Sequence, residues 1–182
     1  SNQNQQKRIF PPQHQNQQPG IESEMNPRPK SVDPKYKASG KLAGKTAIIT
    51  GGDSGIGKSA AIYFAKEGAD IAIAYLEEHQ DAKETKELIE AEGQRCLLFA
   101  GDAGNEAYCK EVVNQTIKEF GKLDILVNNA AEQHPQNSLL NITSAQLEKT
   151  FRTNIFSYFY MTKMALPYLK KGASIINTAS IT

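Results

Sequence analysis

A glycine-rich segment follows the first strongly apolar run of the sequence and precedes a helical pattern. It reads Thr50-Gly51-Gly52-Asp53-Ser54-Gly55-Ile56-Gly57. Here Gly51 can make the tight turn out of a strand, Gly55 lets backbone approach a pyrophosphate, and Gly57 lets a helix pack closely on the sheet. The first-turn N–H groups of that helix then face the phosphates. The segment predicts a dinucleotide-binding turn formed by Gly51, Asp53, Ser54, Gly55, Ile56 and Gly57.

The same segment also matches the loop of phosphate-hydrolysing P-loop proteins. Gly52, Gly57, Lys58 and Ser59 fit the pattern G-x-x-x-x-G-K-[ST]. Asp102, after a later apolar run, is placed to act as the magnesium-binding acid of such a protein. In a dinucleotide-binding fold, Lys58 and Ser59 would instead be exposed or half-exposed residues of the first helical turn. The glycine segment alone leaves both interpretations open.

These residues need strands and helices that hold them at one edge of a sheet. Aliphatic and β-branched runs predict strands at Thr46–Thr50, Asp70–Tyr75, Arg95–Ala100, Leu123–Val127 and Ala173–Asn177. Helical spacing of apolar residues predicts helices at Ile56–Gly68, Gln80–Gly93, Asn105–Gly121 and Thr143–Lys171. Pro167 is expected to bend or end the last helix. Because strand and helix alternate and the strands are continuously apolar, we predict an α/β fold with a Rossmann-type, doubly wound parallel sheet in a single domain.

Polar residues recur near the predicted ends of the later strands. Asn128-Asn129-Ala130-Ala131 follows the fourth strand, where the two amides can tie neighbouring strand ends together or line a cofactor site. Asn154 lies inside the last predicted helix, and Ser180 lies just past the fifth strand. Taken singly, these residues are equally a turn former, a tolerated helical asparagine and an ordinary serine.

Together, these motifs resemble the short-chain dehydrogenase/reductase family over about Leu42 to Thr182. The glycine segment has that family's T-G-x-x-x-G-I-G form. Residues 128–131 are similar to its Asn-Asn-Ala-Gly signature, with alanine in place of the final glycine. The resemblance is to an N-terminally extended, bacterial-type oxidoreductase. It implies hydride transfer between a nicotinamide dinucleotide and a small carbonyl or alcohol substrate.

The resemblance also implies roles for individual residues. Asp102 would hydrogen-bond the adenine amino group, and Asn128 and Ala130 would contribute to the cofactor site. Asn154 would bulge its helix and hold a water molecule in the proton relay, and Ser180 would hydrogen-bond the substrate carbonyl. The last two have no task in a P-loop hydrolase, which argues against that alternative. A dinucleotide-binding protein without catalysis is the other alternative.

The family's catalytic pair, Tyr-x-x-x-Lys, has no match in the sequence. A phenol is a poor base near neutral pH, and a lysine one helical turn later lowers its pKa. Each of the 7 tyrosines lacks a lysine at the fourth following position. Because the family's pair lies shortly beyond the serine, we expect the sequence to be part of a longer enzyme whose C-terminal portion is absent here, with activity belonging to the complete protein.

The end of the second strand bears on the choice of dinucleotide. NAD-specific folds place an acid there to bind the ribose hydroxyls and repel a 2′-phosphate. In this sequence Tyr75 and Leu76 take that place, and two glutamates follow. The glycine segment has Asp53 and Ser54 where NADP-binding members offer a cation. The local charge therefore predicts a preference for NAD, with NADP possible.

Composition argues against several other classes of protein. The chain has 182 residues, 39% of them hydrophobic, and 21 basic against 20 acidic residues give a formal charge of +1. We therefore expect no nucleic-acid or membrane partner. No apolar run reaches the ~18 residues of a membrane span, and Cys96 and Cys109 have neither metal-site spacing nor a secretory context. The prediction is a cytoplasmic protein with buried thiols and no metal.

The two ends of the chain differ in character. Residues 1–41 are a Gln- and Pro-rich arm, expected to be extended or disordered, with packing on a neighbouring subunit through Ile9–Pro12 as the alternative. Residues 42–182 form the NAD(P)-binding domain. The resemblance implies a homotetramer or dimer built on long helices such as Thr143–Lys171, whose aromatic residues exceed the needs of one sheet face. Glu132, Gln133 and His134 are candidates to border the substrate, with an ordinary loop residue as the alternative for His134, which precedes Pro135.

Overall fold

The computed structural model describes residues 25–27 and 29–180. Its five strands are β1 (Thr46–Thr50), β2 (Asp70–Tyr75), β3 (Cys96–Ala100), β4 (Leu123–Asn128) and β5 (Leu169–Asn177). Its α-helices are α1 (Gly55–Lys66), α2 (His79–Ala91), α3 (Glu106–Phe120), α4 (Ser144–Phe151) and α5 (Ser157–Ala165). A π-helical segment, Arg152–Phe156, joins α4 to α5, and 3-10 turns span Leu139–Asn141 and Leu166–Tyr168. Within the described residues, every helix falls short of the length and apolar character of a membrane span.

The five strands form one sheet in the order β3-β2-β1-β4-β5, and every neighbouring pair is parallel. The chain moves outward from β1 to β3, then crosses back to place β4 on the other side of β1. The predicted doubly wound, Rossmann-type sheet is therefore confirmed. The change of direction leaves a crevice at the carboxyl ends of β1 and β4, where open α/β sheets bind ligands.

Both faces of the sheet are covered by helices. In β1, Ala47 and Ile49 pack into a core cluster shared with α1 and α2, whereas Ile48 packs into a second cluster shared with α3 and α5. All five residues of β1 are buried. This double coverage explains why the strands are apolar throughout rather than alternating. Cys96 and Cys109 are free thiols buried in the two clusters, and burial raises the pKa of each to about 12.

The last predicted helix is the main error in the sequence-based assignment. The prediction of one helix over Thr143–Lys171 is wrong, because regular helix ends at Ala165 and strand β5 begins at Leu169. Pro167 lies in the 3-10 turn between them, as expected of a residue whose ring clashes with the preceding helical turn. The two lysines assigned to the helix end are exposed residues of β5, next to a register shift against β4.

The chain enters the domain along a segment that is fixed to the end of α1. The carboxylate of Glu67 accepts hydrogen bonds from the Lys41 N–H at 2.7 Å, the Ser39 N–H at 3.2 Å and the Tyr36 hydroxyl. The Tyr36 ring meets the Tyr63 ring edge-on at 4.7 Å. The Tyr36 hydroxyl, followed by the Lys41 N–H, lowers the pKa of Glu67 to about 2.

These contacts move the start of the packed chain upstream of the predicted boundary at residue 42. The Asp33 N–H donates to the Tyr63 hydroxyl at 2.7 Å, so the ordered contacts begin at least at Asp33. The proposed subunit contact through Ile9–Pro12 lies outside the described residues.

Candidate functional site

A cavity of about 330 Å³ opens at the carboxyl edge of the sheet. Its walls come from the turns that follow all five strands and from the π-helical segment. Nine of the residues predicted to bind a cofactor line it: Gly51, Asp53, Ser54, Gly55, Ile56, Tyr75, Leu76, Asp102 and Ala130. The topology thus brings together residues that are up to 79 positions apart in the sequence.

The glycine turn shapes the floor of the cavity. Gly51 has a φ of +66°, and a Cβ atom on Gly57 would lie only 1.9 Å from the Gly51 carbonyl oxygen. Helix α1 therefore starts directly against the turn. Gly55 has a φ of +53° and open space where a Cβ would be. Gly55 opens helix α1 and lines the cavity, and the N-terminal end of a helix favours the phosphates of a dinucleotide.

The turn after β4 is joined to the glycine turn through a threonine. The Thr50 hydroxyl oxygen accepts hydrogen bonds from the N–H groups of Asn129, at 2.9 Å, and Ala130, at 3.0 Å. The Asn129 amide also approaches the Gly51 carbonyl oxygen at 3.4 Å. Thr50 is 1% exposed, so its side chain holds these two residues of the cavity wall in place but is not itself part of that wall. The sequence-based assignment gave Thr50 no role beyond its place in the motif.

Two residues predicted to bind cofactor lie behind the wall of the cavity. Gly57 forms the helix contact described above. Asn128 is fully buried, and its amide nitrogen donates to the Thr162 hydroxyl at 3.2 Å and to the Asn177 side-chain oxygen at 2.9 Å. Of its two predicted roles, the structure therefore shows the tie between strand ends: β4, β5 and α5 meet at this side chain.

The end of the cavity near β2 is acidic. Asp53 is 4% exposed, and burial, with a contribution from the nearby Glu78 carboxylate, raises its pKa to about 6. The Tyr75 hydroxyl lies 2.9 Å from Nδ1 of His79. Among the described residues, the cavity lining includes four carboxylates, Asp53, Glu78, Asp102 and Glu132, and neither lysine nor arginine.

Lys58 does not take the position that a phosphate-binding lysine would need. It is 6% exposed and lies on the stripe of α1 that also buries Ala61, Ile62 and Ala65. The expectation that Lys58 would be exposed or half-exposed is wrong, because its long apolar stem is packed along the core-facing side of the helix. Neither Lys58 nor Ser59 lines the cavity.

Asn154 lies in the π-helical segment, where the resemblance implied a bulge. Its side-chain oxygen accepts from the Glu132 N–H at 2.9 Å, and its amide nitrogen donates to the Glu132 carbonyl at 2.9 Å. The preceding residue, Thr153, lines the cavity. The helix bulge thus brings the Asn154 side chain onto the loop that follows β4.

The cavity wall near β5 is formed by Thr178, one residue past the strand. Its N–H donates to the Asn128 carbonyl at 2.9 Å, and its carbonyl accepts from the Tyr158 hydroxyl at 2.9 Å. Ser180, the predicted substrate-binding residue, is exposed and lies two residues further on. Sequence reasoning missed Thr178, although a residue directly after a parallel strand is always placed at the ligand-binding edge.

Comparisons with known proteins agree with this architecture. The family model of the short chain dehydrogenases matches residues 45–182. The uncharacterized oxidoreductase YhdF of Bacillus subtilis is 69% identical over 171 residues, which are 94% of this chain and 59% of that protein. The glucose and ribitol dehydrogenase of Daucus carota is 46% identical over 178 residues, or 94% of this chain and 61% of that protein. The chloroplastic NADPH-dependent aldehyde reductase 1 of Arabidopsis thaliana is 44% identical over 175 residues, or 93% and 61%.

Solved structures with the same fold bind either dinucleotide. A short chain dehydrogenase from Burkholderia cenocepacia in complex with NADP has a TM-score of 0.73 and 34% identity over 78% of this chain and 57% of that one. Carveol dehydrogenase from Mycobacterium avium in complex with NAD has a TM-score of 0.74 and 27% identity over 79% and 57%. The chain spans about three fifths of the length of the curated relatives it matches. It belongs to the short-chain dehydrogenase/reductase family.

Proposed function

We propose that the complete protein is a nicotinamide-dependent oxidoreductase that interconverts a small carbonyl compound and its alcohol. The observation that carries this proposal is the cavity itself, whose lining brings together the glycine turn, the loop after β4 and the end of β5. A P-loop hydrolase is disfavoured because Lys58 is buried on the core side of α1.

The described residues fit a dinucleotide. The glycine turn and the first turn of α1 would hold the pyrophosphate, and Asp102 would face the adenine. Asp102 is available for this because, among the described residues, its side chain accepts a single local hydrogen bond, from the Gly104 N–H at 2.7 Å, which leaves further lone pairs. When bound, the dinucleotide supplies or accepts the hydride.

Two residues of this chain are proposed to act at the reacting end. Ser180 would donate its hydroxyl hydrogen to the substrate oxygen, which develops negative charge during reduction. Asn154 would hold the helix bulge and the loop after β4 in place for the proton relay. The sequence contains no tyrosine with a lysine four residues later, so we assign the proton donor to no residue of this chain.

We infer a preference for NAD from the charge around the ribose end of the cavity. A 2′-phosphate there would meet Asp53 and Glu78, with no cation among the described lining residues to pair with it. The Arabidopsis relative named as NADPH-dependent supports the opposite choice. The ratio of kcat/KM values for the two dinucleotides decides between them, and a ratio of about tenfold or more in favour of NADP would refute the charge argument.

We further propose a hydroxylated aldehyde or polyol as the substrate class. Two relatives carry names that specify glucose and ribitol, or aldehydes. The loop after β4 supports this because two polar residues follow one another there, Gln133, which is exposed, and His134, which is half-buried. Such side chains can hydrogen-bond the hydroxyl groups of a sugar alcohol.

A homo-oligomer is also proposed, as a dimer or tetramer formed through α4 and α5. Phe151, Ile155, Phe156 and Phe159 are between 37% and 62% exposed along this stretch. An apolar surface of this kind on successive helical turns is typical of a subunit interface. Light scattering on the complete protein measures the assembly, and a monomer would contradict the proposal.

The test of function uses the complete protein. Calorimetric titrations with NAD, NADP and magnesium-ATP identify the nucleotide, and a panel of aldoses, polyols and simple aldehydes is then assayed by dinucleotide absorbance. We expect dinucleotide binding and turnover, with Ser180→Ala lowering kcat by about a hundredfold while dinucleotide affinity stays nearly unchanged. Binding of magnesium-ATP alone would refute the proposal, and dinucleotide binding without turnover would favour the non-catalytic alternative.

A further inference from the structure

The loop after β4 carries an acid that the proposed mechanism does not use. Glu132 is 4% exposed and lines the cavity next to Ala130 and Ala131. A buried carboxylate is unfavourable unless nearby charges and hydrogen bonds compensate it. Its presence at this position therefore calls for partners and for a function.

The backbone of Glu132 is the contact point of Asn154. The two hydrogen bonds between the Asn154 amide and the Glu132 N–H and carbonyl are both 2.9 Å long. They fix the position and the orientation of the Glu132 backbone relative to the π-helical segment. The backbone of residue 132 and the Asn154 side chain are therefore joined by two hydrogen bonds.

The side chain of Glu132 is held from a different direction. Lys149 on α4 places its Nζ 3.6 Å from one carboxylate oxygen, and Nε2 of His134 lies 3.2 Å from the other, without the alignment of a hydrogen bond. Gln146, one turn before Lys149, donates to the His134 carbonyl at 3.0 Å. Helix α4 therefore holds the same loop that the π-helical segment holds.

We propose that Glu132 is a positioning residue for the reacting end of the cavity, whose carboxylate, attracted by the Lys149 ammonium, fixes the loop backbone to which Asn154 binds. The inference rests on the proposed function, since it assigns Glu132 a task in that reaction. The charge is needed because a neutral side chain would lose the attraction to Lys149, and the loop would then be free to shift along α4. Displacements of about 1 Å at a reacting centre are enough to lower turnover strongly.

The first test compares Glu132→Gln, Glu132→Asp and Lys149→Met in the complete protein, using the best substrate from the panel. We expect Glu132→Gln to lower kcat about tenfold while the dinucleotide Kd changes by less than about twofold, because the affected loop lies at the reacting end. Glu132→Asp, which keeps the charge, should recover part of the lost kcat. Lys149→Met should be at least as harmful as Glu132→Gln, because it leaves the buried carboxylate without its lysine.

A second comparison asks whether Glu132 acts through Asn154. In an Asn154→Ala background, Glu132→Gln should cause little further loss of kcat, since residues that act as one unit are not additive. The matched control is the ion pair between Lys163 and Glu106, 2.8 Å apart on the outer surface of α5 and α3. Lys163→Met and Glu106→Gln should leave kcat unchanged.

The outcomes separate the two proposals. An active wild-type enzyme with unchanged kcat in Glu132→Gln, or with additive losses in the double variant, overturns the positioning role and leaves the proposed function standing. A loss in Glu132→Gln that merely follows a lowered melting temperature, with kcat and dinucleotide Kd impaired together, likewise overturns it. A wild-type protein without dinucleotide-dependent turnover overturns both proposals.

Discussion

The carbonyl oxygen of Gly51 lies where a side chain on residue 57 would have to begin, 1.9 Å from the ideal Cβ position. Neither group can yield easily, because Gly51 belongs to the turn that leaves β1 and Gly57 to the first turn of α1. Gly57→Ala should force the helix away from the strand and cost about 3 kcal/mol or more of unfolding free energy. Denaturant unfolding of the complete protein measures this loss, and calorimetry should show weakened dinucleotide binding.

Gly93→Ala is the control for that substitution. Gly93, unlike Gly57, has a positive φ, +84°, and its Cβ would meet open space. The variant should therefore lose only about 1 kcal/mol, from the left-handed conformation alone, and should bind dinucleotide normally. A loss in Gly57→Ala no larger than that in Gly93→Ala would contradict the close contact with the Gly51 carbonyl as the source of the penalty.

Asp53 should destabilise the ligand-free protein when it is ionised. Burial raises the pKa of its carboxyl from an ordinary value near 3.8 to about 6. For an acid with a raised pKa in the folded state, the cost is complete above about pH 6 and vanishes below about pH 4. Asp53→Asn should therefore stabilise the protein by up to about 3 kcal/mol at alkaline pH and by almost nothing at acid pH. Unfolding at a series of pH values measures the difference, and a gain that is the same at every pH would contradict this account.

Glu67, in contrast to Asp53, should stabilise the protein when it is ionised. Its pKa is lowered to about 2 by the Tyr36 hydroxyl and backbone N–H groups. A depressed pKa in the folded state means that the stabilisation is present above the unfolded pKa, about 4.5, and is lost as the pH falls towards 2. Glu67→Gln should lower the melting temperature near neutral pH and converge with the wild type in acid. A variant whose deficit persists unchanged in acid would point to lost packing instead.

Two N-terminal deletions in the complete protein test the same contact, between Glu67 and the segment that precedes β1. A deletion ending at Glu24 keeps Asp33, Tyr36 and the backbone donors to Glu67. A deletion ending at Lys37 removes Asp33 and Tyr36, and should lower the melting temperature about as much as Glu67→Gln does. If both deletions behaved like the wild type, the residues up to Lys37 would contribute nothing to stability.

Asn128 should matter for stability more than for dinucleotide choice. Asn128→Ala removes two hydrogen bonds made by a fully buried side chain, to Thr162 and to Asn177, and at about 0.5–1.5 kcal/mol each their loss should cost about 1–3 kcal/mol. The exposed Asn114, whose side-chain oxygen accepts from the Tyr168 hydroxyl at 3.3 Å, gives the matched control, Asn114→Ala. The control should stay within about 0.5 kcal/mol of the wild type. A changed ratio of NAD to NADP affinity in Asn128→Ala would show instead that this residue contributes to the cofactor site.

Strands β1 and β2 could be predicted residue by residue from the sequence, because both faces of a central parallel strand are buried and the apolar run ends where the strand ends. The same rule failed at β5. Its two lysines and glycine read as a helix end, whereas the structure places them in an exposed part of the strand beyond the Pro167 turn.

The errors within the site have a similar origin. Lys58 was predicted to be exposed or half-exposed from its place in the first helical turn, although its spacing from Ala61, Ile62 and Ala65 already put it on the buried stripe of α1. Glu67 carries no local signal at all, because a carboxylate that accepts N–H groups from residues about 26 positions away is recognisable only once the chain is folded. Long-range polar contacts therefore mark the limit of what periodicity and motifs can predict.

The hydrogen-bonded carboxylate of Glu67 and the cavity lie at opposite edges of the sheet. Glu67 lies just before β2, at the margin where strands begin, and the glycine turn lies where β1 ends. The full length of a central strand, about 17 Å for five residues, separates them. The edge where the strands begin can thus be used for attachment, labelling or immobilisation while the opposite edge carries the chemistry. The sheet, covered by helices on both faces, separates the two edges.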